Sequence, residues 1–559
     1  MRREPSGHHL GTRCADRRSR RHPSGDRRRR SRGAARPAGA RPRRPHQPPR
    51  ADHRSHLVGR VPHPHPRPHG RRRRGVHAGR RARRQHRQLR GGAHGREQPG
   101  SRGRAGRCRG GRSVPGRAHG ALVPSVGRPA DVSALTVPHV GGPVIATVPV
   151  PGSKSLSNRA LVCAALAEGE SQIIDLAPGD DTVAMIECLD RLGVVVESGP
   201  GHASVWGTGG HLRPGPITLP TKLAGTTSRF ITAVATLGQG PYTIDGEPPL
   251  RTRPMGPLHE ALAALGAGIT PGERAGHLPV TVGGPPNGGR VAIRGDVSSQ
   301  YVTALMLIAP LLVDGLVIDL IGPLVSRPYV ELTAAVMGDF GVHEVQVGEQ
   351  RITVAPGRYR STRYAIEPDA SSASYPLALG AVLGGAVTVP GLTPASRQGD
   401  ARFAGLLAEM GCDVIATEAD TTVARDPSNA LTGIDVDMAD ISDLVPTLAV
   451  VAALASTPTR IRGVGFIRGK ESDRLGDLAS ELARVGANVT VADDGLDIAP
   501  AADGLHGARL GTHHDHRLAM AFGVLGAAVP GVEVDDPSVV SKSWPGFWDE
   551  LAAAVGGAS

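Results

Sequence analysis

The sequence contains no run of 18 or more apolar residues. Its longest candidate, Thr303 to Ile318, includes Pro310 and Asp314 and reads as a buried helix and strand, not a membrane span. Cysteine is scarce. Cys14, Cys108, Cys163, Cys188 and Cys412 form no CxxC pair and no zinc spacing, so a reducing compartment is expected. The positively charged start is not followed by the apolar stretch that a secretory signal needs. A soluble, cytoplasmic protein without a membrane partner is therefore predicted.

Residues 1–130 lack Phe, Trp, Tyr, Ile and Lys altogether and hold about 38 Arg against about 5 acids, roughly +33. The formal net charge is +15, so the remaining chain carries roughly −18. Its length suffices for two full cores. The tail has too little apolar surface to offset chain entropy and is predicted to be a disordered Arg/Gly/Pro/His-rich extension over 1–132. Runs such as Arg27 to Arg30 would contact phosphates if the tail bound nucleic acid. A transit peptide would be Arg-rich but also amphipathic. A GC-rich stretch read from too early a start, and so outside the mature protein, accounts best for this composition. A nucleic-acid partner is disfavoured, since only the tail carries the charge for one.

What is present after Ser133 is periodic. A β-rich run, a polar cluster and a long Ala/Leu-rich helix recur about every 72 residues. The clusters are Gly152 to Ser155, Gly225 to Arg229, Ser298 to Gln300, Ser371 to Ser374, Ile441 to Asp443 and His514 to Arg517. Ser, Thr and Asp there are natural N-caps. A second helix in each unit stops on a glycine, as at Gly193, Gly266, Gly411 and Gly486. The prediction is an α/β chain of six β-α-β-α-β-β units. If the first helices converge, their N-termini form a concentrated anion site.

Lysine is nearly absent, with only Lys154, Lys222, Lys470 and Lys542 in the chain. Three of them sit in dense polar motifs: Lys154 in PGSKSLSNR, Lys470 in RGKESDR and Lys542 in SKS. The first motif has Lys, Ser and Arg159 at a helix start but lacks the glycine spacing of a P-loop, which disfavours a nucleotide-dependent kinase. Arg251, Arg253, Arg474 and Arg517 can grip carboxylate or phosphate in pairs of hydrogen bonds. The His513, His514, His516 group has no metal-ligand spacing, and no metal is expected. Asp443 and Glu471, held beside these cations, are candidate proton-transfer groups.

These residues resemble the 5-enolpyruvylshikimate-3-phosphate synthase family of enolpyruvyl transferases. The likeness rests on PGSKSLSNRA (Pro151 to Ala160), LAGTTSRF (Leu223 to Phe230), RTRP (Arg251 to Pro254), SSQ (Ser298 to Gln300), EPDASSASY (Glu367 to Tyr375), RGKESDRL (Arg468 to Leu475) and DHRLAMAF (Asp515 to Phe522). It implies two domains of three units each, 133–152 plus 367–559 and 153–366. It implies transfer of the enolpyruvyl group of phosphoenolpyruvate to shikimate 3-phosphate by a monomer without cofactor. By motif position, Lys154, Ser155, Arg159, Ser298, Ser299, Gln300, Ser326, Asp443 and Lys470 would hold shikimate 3-phosphate. Lys154, Gly225, Arg253, Gln300, Arg474, Arg517 and Lys542 would hold phosphoenolpyruvate. Asp443 would accept the hydroxyl proton and Glu471 would donate one, with Lys154 beside both. Phe466 stands where the family more often has a polar residue, and Leu223 and Phe230 flank a turn where Asn and Pro are common. The sister enzyme acting on UDP-N-acetylglucosamine is disfavoured, because Glu247 to Met255 has no reactive Cys.

Overall fold

The structure is a computed structural model that describes residues 133–557. The extension expected over 1–132 lies outside the described residues, as do Cys14 and Cys108.

Helices and strands alternate from Val144 onward. The helices that follow the six polar clusters are Lys154–Leu166, Gly225–Ala235, Ser299–Ile308, Ala370–Leu383, Val445–Ala453 and His516–Ala528. Nearly every residue of each is buried, polar first turns included, so these helices are enclosed by other elements. Accordingly, the first three pack on one another, as do the last three. Ser153, Ser298, Asp369 and Asp515 cap four of them with side-chain oxygens. At Gly225 and Val445 the flanking residues are Ala224 and Leu444, without a side-chain cap. There the expected Ser/Thr/Asp cap is absent, and Ser442 and Asp443 occupy a 3₁₀ turn instead.

Sheets cover these helix bundles. Five four-stranded sheets and one three-stranded sheet are found among the described residues. In the sheet built from Ile217–Pro220, Tyr242–Asp245, Gly268–Pro271 and Val280–Gly283, the first two strands are parallel and the other pairs antiparallel. Burial alternates along Tyr242–Asp245, with Tyr242 and Ile244 facing the helices. The second helices end as glycine demands: Gly193 (φ 95°) and Gly486 (φ 86°) adopt left-handed backbone that other residues resist.

One pairing departs from a simple linear repeat. Val144–Thr147, ahead of the first cluster, pairs in parallel with Gly385–Pro390, far along the chain. Reciprocally, Arg363–Ala365 pairs with Glu168–Ile174. Two hydrophobic cores result, one running from Leu156 to Ile366 and one combining Val137, Val144 and Val148 with residues from Ala370 onward. The cluster helices of both cores start near the seam between them. Among the described residues, no helix is long and apolar enough to cross a membrane.

Candidate active site

At the seam lies a cleft of ≈ 660 Å³, partly open to solvent, bounded by residues of both cores. Lys154 opens the helix Lys154–Leu166; its backbone N–H donates to Asp369 Oδ2 (3.0 Å), and its Nζ meets Asp181 Oδ2 (3.0 Å). Ser155 lines the cleft one residue on. Arg159, one turn further, donates to the carbonyls of Ser155 and Tyr329 and to Thr333 Oγ1. No carboxylate among the described residues pairs with it, and burial pushes its pKa down to about 10.

Gly225 starts the helix Gly225–Ala235 and leaves room for Arg253, whose Nη1 a Cβ there would approach to 2.7 Å and displace. Buried Arg229 binds the carbonyls of Gly225 (3.1 Å) and Pro254 (2.9 Å), tying that turn to the Arg253 loop. Its pKa too falls to about 10, through burial first and then repulsion from Arg253. Ser298 turns its hydroxyl back to cap the backbone N–H of Gln300, so it stands behind the cleft that Ser299 and Gln300 line. Gln300 reaches Thr226 Oγ1 at 3.4 Å. Ser326 lines the cleft from a left-handed backbone (φ 52°, ψ 44°), a conformation costing about 1 kcal/mol for a residue with a Cβ.

The opposite wall carries both signs of charge. Arg474, 1 % exposed, binds Asp443 Oδ1 (2.8 Å), Glu471 Oε2 (2.8 Å) and Asp515 Oδ2 (2.7 Å). Arg517 binds Asp443 Oδ2 (2.8 Å). Glu471 Oε1 receives Arg253 (3.2 Å) from the other core and Lys542 Nζ (3.1 Å), which also donates to the Leu223 carbonyl. Lys470 lines the cleft with its Nζ 5.8 Å from the centre of the Phe466 ring. Burial alone would raise Asp443, but Arg517, Lys470 and Arg474 outweigh it and hold the carboxyl well below its ordinary range. For Glu471, burial is likewise overcome, by Arg253, Lys542 and Arg474. Burial depresses Lys470 against the pull of Asp443.

The cleft thus gathers the residues expected from sequence, with Ser298 and Lys542 in supporting positions. Arg251 is the exception. It turns outward to Asp245 (2.7 Å), the solvated ion pair that any single surface arginine tends to form. Sequence reasoning missed Asp181, Arg229, Tyr329 and Asp400. The acidic pair Asp180-Asp181 at a helix start and the Arg229 of the second cluster were available as signals; Tyr329 and Asp400 gave none. His516 was expected only within a capping motif. It lines the cleft fully buried, and burial followed by Lys154 and Arg517 drives its pKa well below normal, so the ring is neutral. His513 binds Glu481 instead (2.9 Å). No group of three or more His, Cys, Asp or Glu able to hold a metal occurs among the described residues. Chemically, the arrangement can bind two multivalent anions next to each other and move protons at Asp443 and Glu471.

Residues 139–551 match the family model described as EPSP synthase (3-phosphoshikimate 1-carboxyvinyltransferase). The chain is 44 % identical over 412 residues to the 3-phosphoshikimate 1-carboxyvinyltransferase of Methanoculleus marisnigri, covering 73 % of this chain and 97 % of that protein. It is 41 % identical over 418 residues to that of Nostoc punctiforme, covering 74 % and 97 %. In fold it is similar to a solved EPSP synthase from Acinetobacter baumannii, with TM-score 0.62, 24 % identity and coverage of 75 % and 97 %.

Proposed function

The chain belongs to the EPSP synthase family, and from that premise we propose how its cleft works. The protein is a 3-phosphoshikimate 1-carboxyvinyltransferase. It transfers the enolpyruvyl group of phosphoenolpyruvate to the 5-hydroxyl of shikimate 3-phosphate and releases phosphate, in the shikimate pathway to chorismate and the aromatic amino acids. The observation that supports the residue assignment is that Lys154, Arg253, Arg474 and Arg517 line one cleft together with Asp443 and Glu471.

Two substrates of like charge repel each other, so cations must neutralise both before their reacting atoms meet. Lys154, Ser155, Arg159, Ser299, Gln300, Ser326 and Lys470 hold shikimate 3-phosphate, with Ser298 fixing the turn beneath it. Lys154, Gly225, Arg253, Gln300, Arg474, Arg517 and Lys542 hold phosphoenolpyruvate. Asp443 accepts the proton of the attacking hydroxyl. Glu471 delivers a proton to the methylene carbon, which makes the neighbouring carbon electrophilic. In the empty cleft Glu471 is held ionised by Arg253, Lys542 and Arg474. Once the substrate anions engage those cations, Glu471 loses part of that stabilisation and its proton affinity rises toward what a donor needs. The same cations then stabilise the departing phosphate, which takes the proton held on Asp443, while the methyl carbon returns a proton to Glu471 and regains its double bond.

The finer architecture belongs to this reading. The six sheets represent six copies of one β-α-β-α-β-β unit, three in each of two domains, 133–152 plus 367–559 and 153–366. The division is supported by the two hydrophobic cores. The protein acts as a cytoplasmic monomer, and the free, buried Cys163, Cys188 and Cys412 suit a reducing compartment. Phosphate release in the presence of phosphoenolpyruvate, with shikimate 3-phosphate or UDP-N-acetylglucosamine as acceptor, tests the assignment. Release is expected only with the former; release only with the latter contradicts it.

A further inference from the structure

Behind the cleft, two carboxylates share one hydroxyl. Tyr329, on the helix Arg327–Asp339, has its Oη 3.0 Å from Asp400 Oδ2 and 3.4 Å from Asp443 Oδ2. A phenol has one proton to donate, so it serves one of the two at a time. Asp400 lies in the 3₁₀ turn Gly399–Arg402 and is 3 % exposed. It also receives the Ser371 hydroxyl, and its Oδ1 is buried without a partner. A smaller cavity, lined by Ser155, Tyr329, Ser371, Gln398 and Asp400 among others, adjoins it. The mechanism above has no task for Asp400, although a second buried carboxylate beside Asp443 is costly to keep.

Resting on the reading of Asp443 as proton acceptor, we propose that Asp400 is its positioning residue. Ionised Asp400 draws the Tyr329 proton to itself and leaves Asp443 Oδ2 the stronger base. Protonated Asp400 releases that hydrogen bond to Asp443, which becomes the weaker base. The proton stays on the Tyr329 oxygen throughout, and only its acceptor changes. The groups facing Asp400 are Asp443 from its 3₁₀ turn, Arg517 from the helix His516–Ala528, Asp369 from the cap of Ala370–Leu383, Tyr329 and Ser371. Burial first, and then Asp443, push Asp400 up to about 6 against Ser371 and Arg517, so the changeover falls close to neutral pH.

The test is the ratio of wild-type to Asp400→Asn kcat as a function of pH, with folding followed by thermal melting. Ionisation of the substrates' own phosphates affects both proteins alike and cancels in the ratio. The ratio is expected to be about tenfold at pH 8 and to approach one near pH 5, while KM for shikimate 3-phosphate changes by less than about twofold. In a Tyr329→Phe background, adding Asp400→Asn is expected to change nothing, because the bridge is already gone. A ratio flat with pH, or losses that add in the double variant, marks a merely structural residue and overturns the inference. If Asp400→Asn does not fold, Tyr329→Phe decides: its kcat relative to wild type must change through pH 6, and a constant ratio overturns the inference. Absence of wild-type phosphate release with shikimate 3-phosphate overturns the enzyme reading as well. Wild-type turnover with a flat ratio overturns this inference alone.

Discussion

Two pairs of buried arginines around the cleft, one from each core, are treated in opposite ways. On the wall built from residues 154–366, Arg159 and Arg229 are buried against hydroxyls and carbonyls with no carboxylate partner, and burial lowers both to about 10. On the other wall, burial would lower Arg474 too, yet Asp515, Glu471 and Asp443 reverse the effect and raise it. Arg517 is raised in the same manner, chiefly by Asp443. On the first wall Lys154 and Arg253 are paired with Asp181 and Glu471, but Arg159 lines the cleft with its charge unpaired among the described residues and available to an incoming phosphate. On the second, Arg474 and Arg517 are already neutralised and hold the two proton-transfer carboxylates in place.

The largest effect should come from breaking the neutralised wall. Arg474→Met leaves three buried carboxylates without their common partner and is expected to cost about 3–5 kcal/mol in denaturant unfolding. Arg159→Met strands no charge, so its stability should stay within about 1 kcal/mol of wild type. Equal losses would erase the distinction between the walls. The same contrast has a pH signature. Asp443 and Glu471 have folded pKa values below their unfolded values of about 4. Their stabilisation is present above pH 4 and is lost as pH falls through the folded values. Melting temperature should therefore drop steeply below pH 4 in the wild type and less steeply in Arg474→Met, where those values have already risen.

A smaller effect sharpens the picture at Gly225. Gly225→Ala would place a methyl group 2.7 Å from Arg253 Nη1 and push that guanidinium aside. KM for phosphoenolpyruvate should rise about tenfold or more, while KM for shikimate 3-phosphate barely moves. Parallel rises in both would mean that Arg253 serves both anions. A further effect, confined to stability at acid pH, lies at His259, deep in the first wall. Burial and then Arg229 hold its pKa to about 4. A histidine depressed in this way costs stability as pH falls from about 6.5 toward 4, because the unfolded chain takes up the proton first. His259→Gln should remove about 2–3 kcal/mol of that decline, read as stability against pH.

Much of this was legible in the primary structure, for identifiable reasons. The cluster spacing near 72 residues located the six buried helices, since caps and glycine stops act locally. Lys154, Lys470 and Lys542 stood out because Lys222 is the chain's only other lysine. Two of the caps could not be read. Ala224 and Leu444 precede helices that packing alone holds. The exchange of Val144–Thr147 and Arg363–Ala365 between sheets came only through the family resemblance and its grouping of 133–152 with 367–559, because strand pairing over some 200 residues leaves no local trace. Arg251 and Arg253 are two residues apart in one motif, yet Asp245 claims the first and Glu471 the second. Asp181, Tyr329 and Asp400 gain their place only through partners remote in sequence.

The claim that unpaired Arg159 is kept for a phosphate is tested most directly by comparing affinity for shikimate 3-phosphate with that for shikimate. The comparison is made by calorimetry on the wild type and on Arg159→Met. The account predicts that the wild type prefers the phosphorylated ligand by about 100-fold or more, and that Arg159→Met loses most of that preference while keeping its affinity for shikimate. An undiminished preference in Arg159→Met would contradict it.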